Sequence, residues 1–244
     1  MSMFGPLLRL GTSSLTAKGW EQAFYSPGAR PAEYLREYSR RYNTVEIDAT
    51  FYGMPRRDTV KRWRDETPDD FVFAAKTPQT ITHDRLLENC EADMAAFLDT
   101  LRLLENKLGP VLLQFPYFAK ARGVDLPMFL DRLGPFLDTL PQDGPQFAVE
   151  VRNKTWLRPP LFDLLRSHGV ALALIDHPWM PRPGALFAQA APVTADFTYI
   201  RWLGDRKGIE QLTTVWRETI VDRARDIEEW LPPIKALLER KVRV

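Results

Sequence analysis

The feature that most constrains this 244-residue chain is an eightfold recurrence. Short apolar or alternating segments run LLRLGTS (7–13), TVEIDATF (44–51), FVFAAKTP (71–78), VLLQFP (111–116), QFAVEVR (146–152), ALALID (171–176), FTYIRWLG (197–204) and KVRV (241–244). Between them lie amphipathic stretches at 31–42, 57–67, 86–107, 126–140, 159–169 and 221–241, with apolar residues at helical spacing. Strand, helix, strand in repetition means right-handed crossovers and a parallel sheet covered by helices. Eight such strands close into an α/β (β/α)8 TIM-type barrel, with an open doubly wound sheet as the alternative. No stretch has the composition of a linker, and the Pro-rich piece from Pro178 to Gly184 reads as an irregular crossover. Residues 1–244 are therefore expected to form a single domain. KVRV reads as the start of an eighth strand with no helix after it, so the last βα unit is expected to be truncated.

Along a barrel strand, alternate side chains face the helices and the interior. With Val45, Ile47 and Ala49 outside, Glu46, Asp48 and Thr50 are expected inside. The same test sends Lys76, Gln114, Glu150, Arg152, Asp176, Tyr199 and Arg201 inward, each toward the C-terminal end of its strand. That end is where this architecture builds its sites, because the βα loops there vary without disturbing the scaffold. Two readings stand for so polar a ring: a salt-bridge network that fills the barrel, or a functional site. Buried charge is costly unless paired, whereas Val, Ile and Leu fill a barrel without that cost, which favours function for the ring as a whole. The expected catalytic set is Asp48, Lys76, His83, Glu150 and Asp176, with His83 supplied by the loop after the third segment. The expected substrate-binding set is Glu46, Tyr52, Gln114, Arg152, Trp156, Tyr199 and Arg201. Lys76, Arg152 and Arg201 suit an anion, and the carboxylates with His83 suit proton transfer.

The formal charge of +1 supplies no global field for nucleic acid or an anionic membrane, so any anion site must be local. Cys90 is the only cysteine, which rules out an intrachain disulfide and fits a reducing compartment. The N-terminal stretch has no signal-peptide layout and no apolar run is long enough to span a bilayer, so the expected location is cytoplasmic. No Walker loop, dinucleotide fingerprint, HExxH or paired-cysteine motif occurs, so no nucleotide cofactor is implied. A divalent metal on Glu46, Asp48, Glu150, Asp176 and a histidine is opposed by the neighbouring cations. His168 ends a helical stretch and reads as structural; His177 follows Asp176. Trp20, Phe24 and Tyr25 decorate the first loop, and Gly204 to Gly208 forms a turn where barrels often hold phosphate.

The segments GTSS…GW…FYSPG (11–28), NTVEIDATFYGMP (43–55), W…ETPDDFVFAAKTPQTITH (63–83), NKLGPVLLQFP (106–116), FAVEVRNKTW (147–156) and TADFTYIRWLG (194–204) together resemble the YecE-like family, domain of unknown function 72. The resemblance covers nearly the whole chain and implies a (β/α)8-barrel without implying an activity. That family commonly carries Asn at the position of Asp48, so a role requiring an acid there would not be shared across it. It also usually continues past the eighth strand. The leading functional expectation is an enzyme for a small anionic, phosphorylated or sugar-like, substrate at the barrel mouth. The alternatives are a metal-dependent phosphodiesterase acting on nucleic acid and a non-catalytic ligand-binding barrel.

Overall fold

The computed structural model describes residue 5 and residues 7–189 and 191–244. Six strands form one wholly parallel sheet in sequential order: β1 (Thr44–Ile47), β2 (Val72–Lys76), β3 (Leu108–Gln114), β4 (Phe147–Glu150), β5 (Ala171–Asp176) and β6 (Tyr199–Trp202). The sheet curls into a half-barrel. Helices α1 (Trp20–Ala23), α2 (Tyr34–Tyr38), α3 (Arg57–Asp65), α4 (Glu91–Leu101), α5 (Leu126–Asp138), α6 (Pro159–Ser167), α7 (Pro183–Gln189), α8 (Arg206–Leu212), α9 (Ala224–Glu228) and α10 (Leu231–Glu239) fill the connections. Among the described residues, no helix is long and apolar enough to cross a membrane.

Of the eight expected strands, six build this sheet among the described residues. Segments 7–13 and 241–244 build no ladder there. The Arg9 N–H donates to the Val244 carbonyl (2.8 Å), the Val244 N–H to Leu7 (2.8 Å), the Glu46 N–H to Thr12 (3.0 Å) and the Thr198 N–H to Arg243 (2.7 Å). Side chains take the other bonds: Asn43 Oδ1 accepts from the Leu10 N–H (2.8 Å) and the Tyr38 hydroxyl from the Thr12 N–H (2.7 Å). A side-chain acceptor satisfies an amide as a strand would, without imposing strand geometry. Gly11 is needed here, since a Cβ would lie 2.0 Å from the Thr44 carbonyl oxygen.

Three further elements depart from the periodicity. β1 stops at Ile47, where the Thr50 hydroxyl shares its one proton between the carbonyls of Ile47 (2.7 Å) and Lys76 (2.6 Å) and residues 48–51 form a 3-10 turn. Asp48 and Thr50 therefore belong to a turn and not to the strand. The stretch expected to be helical from 86 becomes α4 only at Glu91, after a π-helical turn at Thr80–Asp84 and left-handed φ at Leu86, Leu87 and Asn89. The final amphipathic stretch divides into α9 and α10, with Pro232 and Pro233 in the first turn of the second, where proline is tolerated.

Two apolar layers result. Val45, Ile47, Phe73, Val111, Leu113, Val149 and Leu174 face the helices in the main core. A small inner cluster holds Leu112, Ala148, Ala171, Ala173 and Phe197. Its alanines leave the interior unfilled, and a cavity of about 610 Å³ opens beside it, lined by Thr44, Val72, Leu108 and Gln146 at the strand starts and by Glu46 and Arg201.

Candidate functional site

The interior is held by one arginine. Arg201, on β6, donates Nε and Nη2 to the two oxygens of Glu46 on β1 (2.9 and 2.7 Å) and Nη1 to Glu150 on β4 (2.5 Å). The Tyr199 hydroxyl also donates to Glu46 (2.8 Å), and Arg152 Nε donates to the other oxygen of Glu150. Alternation on β1, β4 and β6 is what aims all five side chains into the ring. Burial pushes the Glu150 carboxyl up, but Arg201 and Arg152 outweigh it and hold it below its ordinary value. Burial acts against the Arg201 charge too, and Glu150 with Glu46 more than offset it. Burial, followed by the Glu46 charge, raises the Tyr199 hydroxyl well above its ordinary value. Two guanidinium groups against two carboxylates leave this network balanced, as buried charges require.

Above this floor the pairing thins. Lys76, ending β2, has Nζ 3.2 Å from Asp48 and 3.8 Å from the Phe51 ring centroid. The π-helical turn carries His83 into edge contact with Phe51, ring centroids 4.8 Å apart, while its Nδ1 shares a hydrogen bond with the Thr82 hydroxyl (2.9 Å). Such turns and non-glycine left-handed residues are concentrated at functional sites. Burial, then the Lys76 charge, push His83 down to about 4, so its imidazole is neutral at neutral pH. The Thr77 hydroxyl, at the end of β2, is buried with no partner among the described residues.

Arg152 lines a second cavity of about 240 Å³ at the C-terminal ends of β3, β4 and β5, together with Gln114, Tyr117, His177, Trp179 and Met180. Its Nε is spent on Glu150, and among the described residues its Nη groups have no partner. Gln114 donates Nε2 to the Phe115 carbonyl. Burial, then the Arg152 charge, lower His177 from its ordinary value.

The expected residues are therefore not one ring. Glu46, Tyr199, Arg201 and Glu150 make the buried floor; Asp48, Lys76, His83, Gln114 and Arg152 reach the rim. Asp176 is a correction: it shares its parity with Leu172 and Leu174 of the outer core and faces the helices. There it accepts from Arg223 (2.9 Å), Arg182 (3.3 Å) and the Trp230 indole (3.2 Å), clasping the α9–α10 pair to the end of β5. Trp156 is drawn into the core, stacked on Phe118 and Phe129 at 5.3 and 4.9 Å. Tyr52 stands 78% exposed beside Phe51. Asp205 caps α8 by accepting from the Gly208 N–H (3.0 Å), which closes the expected phosphate turn on itself. His168 pairs with Asp138 (3.0 Å) at the end of α6. Trp20, Phe24 and Tyr25 pack into the main core. Among the described residues, no three histidine, cysteine or carboxylate side chains gather as metal ligands. Sequence reasoning missed Tyr117, Trp179 and Met180; their one signal is position, three to four residues beyond the ends of β3 and β5.

Comparison with known proteins agrees with this architecture. The family model described as "Protein of unknown function DUF72" matches residues 9–244, and the chain belongs to that family. It is 38% identical over 119 residues to UPF0759 protein YecE of Escherichia coli K12, across 49% of this chain and 41% of that one. It is 29% identical over 174 residues to UPF0759 protein YunF of Bacillus subtilis 168, across 67% of this chain and 60% of that one. The match thus spans less than two thirds of either relative. Among solved structures, a DUF72 family protein (TM1631) from Thermotoga maritima superposes with a TM-score of 0.72 at 22% identity, covering 97% of this chain and 89% of that one. Another (EF0366), from Enterococcus faecalis, gives 0.61 at 20% identity, covering 98% and 87%. No specific activity or substrate comes with the family's description.

Proposed function

We propose that this protein is a cytoplasmic, single-domain enzyme that binds a small anionic substrate, phosphorylated or sugar-like, at the rim formed by the ends of β1 to β5. In this reading segments 7–13 and 241–244 close the half-barrel into a (β/α)8 barrel around the Arg201 floor. The observation that carries the proposal is the contrast between the two arginines of the interior. Buried Arg201 has all three of its nitrogens bonded to two carboxylates, whereas half-buried Arg152 is fixed through Nε alone and lines a cavity with its terminal N–H groups unpartnered among the described residues. A guanidinium anchored at one nitrogen offers its remaining donors in a fixed fork, the geometry that suits a carboxylate or phosphate. Lys76 adds a second positive charge, and its partner Asp48 is partly exposed at 35% and so open to exchange. His83, held at about 4, is a neutral imidazole at neutral pH, able to hydrogen-bond a substrate through its ring nitrogens.

A thermal-shift screen tests the reading, since a ligand of the native state raises the melting temperature. Inorganic phosphate and sugar phosphates are expected to stabilise the wild type without added metal, and to lose that effect in Arg152→Ala and Lys76→Met. Stabilisation confined to oligonucleotide plus a divalent cation would replace this reading with the phosphodiesterase. Binding without turnover of any bound compound would leave a ligand-binding barrel.

A further inference from the structure

Beside Arg152 the cavity has a second wall that the anion reading does not use. Tyr117 and Trp179 line it from the loops after β3 and β5, and both are open to solvent, at 57% and 68%. An exposed tryptophan and an exposed tyrosine thus share one small cavity, whereas most rings of the chain pack into the core. Neither loop is loose. Asn153, next to Arg152, accepts from the Phe118 N–H and donates to the Phe118 carbonyl, both at 2.9 Å, pinning the residue that follows Tyr117. Trp156 stacks on that same Phe118. On the other side, the Met180 N–H donates to the His177 carbonyl (2.9 Å) and the Trp179 N–H to His177 Nδ1 (3.3 Å), with the two rings in edge contact at 5.3 Å. A backbone fixed before binding lowers the ordering cost of a contact made by the side chains it carries.

We infer that Tyr117 and Trp179 form a ring subsite next to Arg152, shaped for the sugar of a hexose phosphate whose phosphate sits on the arginine. This rests on the anion reading of the same rim. Size favours a single sugar: 240 Å³ lies below the ~300–1,000 Å³ common for drug-sized ligands. Chemistry favours a polyol over a nucleobase. Gln114 spends one amide N–H on Phe115 and keeps an acceptor oxygen with no partner among the described residues, while His177, whose Nδ1 accepts from the Trp179 N–H and whose charged form burial disfavours, keeps Nε2–H as a donor. Sugar rings present apolar C–H faces to aromatic walls and hydroxyls at their edges, which matches that arrangement.

Titration calorimetry of the full chain with inorganic phosphate, glucose 6-phosphate, free glucose and adenosine monophosphate separates the two claims. Glucose 6-phosphate is expected to bind about tenfold tighter than inorganic phosphate, and Trp179→Ala, at an exposed position, is expected to erase that gain while leaving inorganic phosphate unchanged. Tyr117→Ala is expected to reduce the gain in the same sense. Equal affinities for glucose 6-phosphate and inorganic phosphate, both lost in Arg152→Ala, would overturn the ring subsite and keep the anion site. Tighter binding of adenosine monophosphate than of glucose 6-phosphate would overturn the sugar assignment. Failure of every phosphate to bind would overturn the anion reading and the subsite with it.

Discussion

The floor and the rim of the half-barrel are made of the same residue types, yet they differ in how far each charge is satisfied. On the floor, Glu46 and Glu150 close completely around Arg201, and Glu150 is wholly inaccessible. At the rim, Lys76 meets one partly exposed carboxylate, and Arg152 is tethered at a single nitrogen. A closed network fixes geometry and leaves nothing to offer a ligand; a partly open one supported from below offers donors already in position. Glu150 joins the two, since one of its oxygens serves Arg201 and the other serves Arg152. The floor therefore acts as the mount for the rim cation.

That difference can be broken at its strongest point first. Arg201→Met leaves two buried carboxylates facing each other and is expected to cost about 3–5 kcal/mol of stability, read as a drop in the urea midpoint with unchanged slope. Asp176→Ala removes the acceptor shared by Arg182, Arg223 and Trp230 and is expected to cost about 2–3 kcal/mol. Because Asp176 faces the helices, that variant should retain phosphate binding once folded. A complete loss of binding at unchanged stability would return Asp176 to the site. Arg152→Ala is expected to move stability by only about 1 kcal/mol, since Glu150 keeps Arg201, while weakening phosphate binding more than tenfold by calorimetry.

A further effect, spread over a pH range, is on acid stability. His83 is held at about 4 against an ordinary 6.5, so between those values the unfolded chain binds more protons than the folded one. Stability is therefore expected to fall as pH drops from 6.5 toward 4. His83→Gln should flatten that slope in a pH series of urea melts; an unchanged slope would mean that the imidazole titrates normally.

Much of this was legible in the sequence. Strict alternation on β1, β2, β3, β4 and β6 pointed Glu46, Lys76, Gln114, Glu150, Arg152, Tyr199 and Arg201 inward, because period two is a local property of an extended chain. Alternation misled where the strand ended early: the Thr50 hydroxyl shares its proton between two carbonyls where the chain coils, which no hydrophobic pattern announces. It also misled at Asp176, whose outward direction follows from Leu172 and Leu174 but whose partners lie 47 and 54 residues away. The two outer segments read as strands, yet Asn43 and Tyr38 supply bonds that a ladder would have made. Tyr117 and Trp179 carried no periodic signal at all, since turns stapled by Asn153 and His177 set their positions.

The most direct measurement is a crystal structure of the protein soaked with inorganic phosphate. The account predicts an anion bonded to the terminal nitrogens of Arg152 at ~2.8 Å, within reach of Lys76, with the Arg201 network unchanged beneath it. An Arg152 turned away onto a protein carboxylate, or phosphate bound instead to Arg201 inside the ring, would contradict it.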